Sequence, residues 1–347
     1  MEKINPLFTL VQAYHTQYLP LEKKRGENTL RSYKKALEMF LDYIKMQKKV
    51  PLRKVSFQMI NRKILSSFLD HLEAEHSNSP STRNQRLSCI RAFFCFAADN
   101  NMDAIPAYEE ILKVDYAQVS EKLVEHMSED AVKVILAQPD TSKIKGLRDM
   151  FLMLFLYKTG ARIEEALNVQ LRHITFGDSP SVILIGKPND KQRAVPLRDN
   201  TAEHLKKYLQ VFHPNENLYS QKHLFYTTYR CQQKRMSEDN ARDFIGKYGI
   251  LARKICPEVP ENVHPHLFRH SFGMSLYRAG IHLALISEWL GHSQFETTLI
   301  YAHADTEIKR RAIEKAVPVD TPLAQHINPE RYKIDDDEYL KQLCGLR

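Results

Sequence analysis

Cysteine is sparse and unordered in this chain. Its five cysteines, Cys89, Cys95, Cys231, Cys256 and Cys344, are odd in number and form no Cys-x-x-Cys pair. That excludes a disulfide framework and reads as the reduced thiols of a cytoplasmic protein. The opening residues, MEKINPLFTLVQAYH, lack the apolar core of a signal peptide. The longest apolar run, Met150 to Tyr157, is far short of the ~20 residues a membrane span needs, so no membrane partner is expected. A Walker A sequence, a His-Glu-x-x-His pair and an acidic metal cluster are also missing. No cofactor and no metal are therefore expected. There is no internal repeat and no low-complexity segment.

What is present is enough chain for two cores, 347 residues at 43% hydrophobic content. Positive charge is unevenly placed. Residues 1–100 hold 17 Lys and Arg against 9 Asp and Glu, whereas residues 101–347 hold 33 of each. A basic N-terminal part is the electrostatic footprint of a nucleic-acid partner, although a merely solvated surface would look similar.

Helical spacing runs over residues 8–45: Leu7, Leu10, Val11, Tyr14 and Tyr18, then Leu30, Tyr33, Leu37, Phe40, Leu41 and Ile44, with Asn28-Thr29 as a cap between. Residues 61–75 and 79–100 give two more helices. Four helices suit a small DNA-clamping bundle. Thr29, Arg31, Ser32 and Lys35 lie near one helix start, and Ser81, Arg83, Asn84 and Arg86 near another. Side chains and backbone N–H groups meet phosphates at such places. Of these, Thr29, Arg31, Lys35, Arg83, Asn84 and Arg86 are the candidate DNA-binding residues, though each alone reads more readily as ordinary surface.

The pattern weakens over residues 113–126, which reads as a linker after a helical domain of residues 1–112. Ser128 opens the second domain, residues 127–318. Residues 143–159 form an apolar helix, and residues 201–212 and 237–254 two others. Residues 182–186 and 192–197 are β-like runs around a turn at Lys187, and Leu224-Phe225-Tyr226 suggests one more strand. The fold class is mostly α with a small β-sheet. Residues 319–347 form a tail with a short apolar piece, Tyr339, Leu340 and Leu343, which either stays disordered or docks in trans on a neighbouring protomer.

The most informative stretch runs from His264 to His303. Phe268, Phe272 and Leu276 recur every four residues, and Gly280 ends that run. Ile281, Leu285, Ile286 and Trp289 make a second run closed by Gly291, so His292 emerges at a helix end. Tyr301 follows nine residues later. Cutting a phosphodiester requires cations on its non-bridging oxygens, and planar guanidinium groups fit them in pairs. A phenol is mostly protonated at neutral pH, so a nearby base or positive field must favour the phenolate. His266, Arg269, His292 and Tyr301 are the residue types such chemistry needs.

His266-Leu267-Phe268-Arg269-His270, then Leu290-Gly291-His292, then Tyr301, resemble the C-terminal signature of the tyrosine recombinases, the phage-integrase family. Thr159-Gly160-Ala161-Arg162-Ile163-Glu164-Glu165 resembles its first arginine motif. Ile185-Gly186-Lys187, with Arg193-Ala194-Val195-Pro196-Leu197, resembles the hairpin that carries a catalytic lysine. The likeness covers roughly residues 127–317 and reaches the N-terminal part only by architecture. Phe268 stands where leucine is usual, and Pro188 where glycine often follows the lysine.

The resemblance implies a SAM-like core-binding helical bundle joined to an α+β catalytic domain. It implies site-specific recombination through a 3′-phosphotyrosyl intermediate. Tyr301 would be the nucleophile, Arg162 and Arg269 the phosphate clamp, Lys187 the general acid with Lys191 as fallback, and Glu165 a supporting residue. His266 either takes the phenolic proton or stabilises the phosphate, and His292 donates to an oxygen. Because the covalent link conserves the bond energy, neither ATP nor metal is needed. Implied partners are DNA, further protomers in a tetramer on two DNA sites, and other recombinases or accessory DNA-bending proteins. Three other readings stay open: a metalloenzyme using His266 and His270, a non-catalytic DNA-binding module, and a type IB topoisomerase.

Overall fold

The helical spacing of the N-terminal part becomes helix almost throughout. In the computed structural model, residues 5–76, 78–119, 124–186, 192–230, 232–292 and 296–304 are described. The chain divides into two compact units, residues 1–121 and 122–347.

In the first unit, α1 (Pro6–Ala13) starts at Asn5, whose side chain accepts from the Leu7 N–H, with Pro6 at the first helical position. The chain then widens into a π-helical stretch, Tyr14–Glu22, that contains Pro20. Helix α2 (Glu27–Lys48) begins earlier than its sequence suggests. Asn28-Thr29 is not its cap; extended Gly26 is, and its carbonyl accepts the Thr29 and Leu30 amides. Asn61 accepts from Ile64 at the start of α3 (Arg62–His76), and Ser79 from Thr82 at the start of α4 (Pro80–Asn100). A fifth helix, α5 (Ile105–Leu112), was not foreseen.

Phe40, Ile44, Phe68, Leu69, Phe93 and Phe94 lie at the centre of this unit, each buried. Full burial of one such side chain stabilises by about 1.5–3 kcal/mol. Past α5, the chain stays tied to α4. Asn84 exchanges two hydrogen bonds with the Ala117 backbone, at 2.8 and 2.9 Å. Arg91 lies 4.6 Å over the Tyr116 ring and donates to the Leu112 and Val114 carbonyls. Residues 113–117 of the expected linker thus pack on the helical unit.

The second unit opens with α6 (Glu129–Leu136), capped by Ser128, and α7 (Ile144–Thr159), a spine buried over most of its length past its first turn. A short α8 (Ile163–Asn168) follows. Strands β1 (Ile174–Thr175), β2 (Ser181–Leu184) and β3 (Arg193–Pro196) form an antiparallel sheet in sequence order, with Leu184 opposite Arg193. The turn holding Lys187 and Lys191 lies outside the described residues, as does the tail 319–347.

After α9 (Asp199–Phe212), β4 (Tyr226–Tyr229) and β5 (Gln232–Arg235) make a separate two-stranded ribbon. It begins two residues later than expected because Leu224 and Phe225 are both buried in the core instead of alternating. Helix α10 (Glu238–Arg253) is capped by Ser237, and α11 (Pro265–Arg278), α12 (Leu283–Leu290) and α13 (Glu296–Ala304) complete the described fold. Helices α9, α10 and α11 pack around α7. No helix of the described residues is long and apolar enough to cross a membrane.

Candidate active site

The last turn of α12 organises the second unit's chemistry. A helix C-terminus leaves backbone carbonyls unpaired and carries partial negative charge, which attracts cations. Here three consecutive carbonyls each take one arginine. Arg193 on β3 donates from Nε to Trp289 O at 2.8 Å. Arg269, one turn into α11, donates from Nη2 to Leu290 O at 2.5 Å and from Nη1 to Gly160 O at 2.7 Å. Arg162, at the N-cap of α8, donates from Nη2 to Gly291 O at 3.1 Å.

Two glycines make room for this arrangement. Gly291 ends α12 in the left-handed region, at φ +64°, and a Cβ there would lie 2.8 Å from Arg193 Nη1. Gly160, at φ +62°, turns α7 into the Arg162 segment, and a Cβ there would meet Leu290 and Phe272 at 2.7 Å.

Glu165 is the carboxylate of the cluster. It accepts from the Arg162 N–H at 2.7 Å, from Arg162 Nη1 at 2.8 Å, and from both terminal nitrogens of Arg193 at 2.8 Å each. Burial would raise its pKa, but the Arg193 hydrogen bonds and charge, with Arg162 beside them, outweigh burial and hold it down to about 2. Three guanidinium groups thus face one carboxylate, and the site carries net positive charge. Arg269 is 3% exposed, and its guanidinium stays protonated despite burial and the neighbouring Arg162.

The histidines ring this charge. His292 follows Gly291, and its Nδ1 lies 2.7 Å from Thr298 Oγ1 on α13. Burial, then the charges of Arg269 and Arg162, push its pKa down to about 4. His270 is likewise pushed down to about 4 by burial, with His266 and Arg269 adding to it. His266, in the first turn of α11, is lowered by the protein crowded around it and by Arg269. All three imidazoles are therefore neutral at pH 7 before an anion arrives.

Tyr301 on α13 is fully buried. Its hydroxyl lies 3.5 Å from His270 Nδ1, at the outer limit of a hydrogen bond. Gly273 on α11 supplies the seat, since a Cβ there would stand 2.5 Å from Tyr301 Cζ. Burial, partly offset by Arg269, pushes the phenol up to about 12.

Of the sequence candidates, Arg162, Glu165, His266, Arg269, His292 and Tyr301 fall in this one region. Three participants were missed. Arg193 and His270 stand inside the motifs that carry the resemblance, but neither was given a role in strand cleavage. Thr298 gave one signal, its position three residues before Tyr301. Among the described residues, no group of three or more His, Cys, Asp or Glu side chains is placed to hold a metal.

The helical unit's candidates divide. Arg86 Nη1 donates to Ser32 O at 3.4 Å, joining the starts of α2 and α4 into one surface. Arg31 is exposed there, and Lys35 pairs with Glu38 at 3.3 Å. Thr29 lies in the first turn of α2 and is half-buried. Arg83 is held by Glu73 at 3.3 Å, and Asn84 by the Ala117 clasp.

The geometry has parallels elsewhere. Residues 125–307 match the phage integrase family, and residues 12–101 match the phage integrase N-terminal SAM-like domain. Tyrosine recombinase XerD of Staphylococcus aureus is 27% identical over 310 residues, covering 89% of this chain and 99% of its own. Among solved structures, the XerH site-specific recombinase bound to palindromic difH substrate has a TM-score of 0.65 at 22% identity, over 90% of this chain and 89% of that one. The Tn1549 transposon integrase in complex with transposon right end DNA also has a TM-score of 0.65, at 17% identity, over 90% and 99%. These two likenesses establish a shared fold. The family match is longer than half the chain and contains every residue gathered at the end of α12, so the chain belongs to the phage integrase family, the tyrosine recombinases, enzymes that cut and rejoin DNA strands.

Proposed function

We propose that this chain recombines double-stranded DNA at specific sites, with Tyr301 as the nucleophile. The phenolic oxygen attacks the scissile phosphorus and loses its proton, and the bond to the 5′-oxygen breaks. That oxygen leaves protonated as a 5′-hydroxyl, with the 3′-phosphate on Tyr301. Attack by another strand's 5′-hydroxyl reverses the step. Arg162 and Arg269 hold the non-bridging oxygens, and His292 donates to one of them. His266 accepts the phenolic proton or stabilises the phosphate. Lys187 protonates the leaving oxygen. The observation that carries this reading is a net positive cluster of guanidinium groups, neutral imidazoles and a phenol in one region.

Because Tyr301 is enclosed in the free protein, seating of DNA must uncover it. The working assembly is four protomers on two DNA sites in the cytoplasm. A nicked suicide duplex carrying the chain's recombination site tests the nucleophile. The wild-type protein should accumulate a covalent adduct, and Tyr301→Phe should bind equally and give none. An adduct from Tyr301→Phe would remove Tyr301 from its role. Replacing the bridging 5′-oxygen by sulfur removes the need for an acid. It should restore cleavage to Lys187→Ala and leave Arg162→Ala inactive, whereas restoration of Lys191→Ala alone would move the acid along the hairpin.

A further inference from the structure

We infer that Arg193 is a positioning residue for strand cleavage, acting by neutralising Glu165 so that the charge of Arg162 remains available to the phosphate. The inference rests on the strand-cleavage reading above. All three guanidinium nitrogens of Arg193 are engaged, Nε with Trp289 O and both Nη atoms with Glu165, each at 2.8 Å. Its side chain is only 10% exposed. Arg193 is therefore a brace and not itself a phosphate ligand.

The charge balance gives the reason for the brace. Glu165 fixes Arg162 through two contacts, one to its backbone and one to its guanidinium. Without Arg193, the buried carboxylate and Arg162 would form a one-to-one pair. Removing one partner of a buried ionic group leaves the other charge to be met by what remains. Arg162 would then be drawn to Glu165, and its charge would be cancelled where the phosphate must sit. Arg193 also ties β3 to the end of α12, opposite Leu184 in the sheet register. It therefore links the catalytic hairpin, the first arginine motif and the His292 turn.

The charge argument predicts a rescue that a simple structural role does not. Full-length Arg193→Ala should form adduct on the nicked suicide duplex about 10- to 100-fold more slowly, the usual cost of losing a supporting partner. Its affinity for that duplex should stay within about threefold of the wild-type value, since the DNA's other phosphate contacts are untouched. Adding Glu165→Gln to Arg193→Ala should recover about tenfold of the lost rate, because the excess negative charge goes with it. Arg193→Lys should fall between wild type and Arg193→Ala. Thermal melts are recorded for every variant. If Arg193→Ala does not melt cooperatively, the pair Arg193→Gln and Arg193→Gln/Glu165→Gln, which removes the charge but keeps side-chain bulk, decides by the same order of rates.

Wild-type rates in Arg193→Ala overturn the inference. So does loss of affinity in step with rate, or a double variant no faster than its single parent. Absence of adduct from the wild-type protein itself would instead overturn the strand-cleavage reading, and this inference with it.

Discussion

Arginine serves opposite ends in the two units. In the helical unit three arginines have separate anchors: Arg83 on Glu73, Arg86 on Ser32 O, Arg91 on the Leu112 and Val114 carbonyls. The anchors are scattered, so positive charge is spread over a surface. In the second unit Arg162, Arg193 and Arg269 share one anchor, three successive carbonyls at the end and cap of α12. Their charge is concentrated at a point beside a single carboxylate. Residues 1–100 carry the chain's whole formal excess and residues 101–347 balance at 33 of each sign, yet it is among the latter that three arginines converge on one helix end. Net charge marks where a polyanion is met; local concentration marks where one phosphate is held.

Substituting an arginine from each unit tests this contrast. The largest effect belongs to the shared anchor. Arg269→Ala should slow covalent adduct formation by about 10²-fold or more, as losing a transition-state donor does, while affinity for duplex DNA changes little. Equal losses of affinity and rate would show that Arg269 merely anchors DNA.

The next effect is acid sensitivity of the second unit. His270 and His292 are held at about 4 against an ordinary 6.5. Unfolding releases them to bind protons, so stability is full above pH 6.5 and is lost as pH falls toward 4. Glu165, held at about 2 against 4.5, extends the loss from pH 4.5 downward. The melting temperature should drop through both windows, and His270→Gln should flatten the upper one. A melting temperature constant between pH 7 and pH 4.5 would contradict these environments.

The smallest effect belongs to the dispersed surface. Arg31→Gln should lower the slope of log affinity against log salt by about 1, as loss of one phosphate contact does. Cleavage at saturating DNA should stay unchanged. An unaltered slope would place Arg31 away from the duplex.

Much of this was legible in the sequence, because local patterns carry it. Ser79, Ser128 and Ser237 cap the helices whose starts they marked. Gly291 ends α12 and delivers His292 at a helix terminus, as its position foretold. What was illegible depends on distant pairing. Arg193 meets Glu165 across 28 residues and Trp289 across 96, and no periodicity encodes either contact. His270 follows Arg269 in the motif, yet only the packing of α13 against Gly273 brings the Tyr301 hydroxyl near it. Asn84 stands at a helix start suited to DNA, but its amide fits the Ala117 backbone in both directions and is held there. The Asn28-Thr29 cap failed because Gly26, two residues earlier, already supplies the extended residue that a helix start needs.

The three carbonyls at the end of α12 have a consequence best put in a machinist's terms. Parts located one from another accumulate error, whereas parts located from a single datum do not. Arg162, Arg193 and Arg269 come from a helix cap, a strand and a helix far apart in the chain, yet all are gauged from residues 289–291. The Trp289 and Leu290 carbonyls follow the helical rise of about 1.5 Å per residue, and Gly291 turns the third away at the cap. The placement of the whole constellation is therefore set by one helix end, and a displacement of that end carries all three guanidinium groups together.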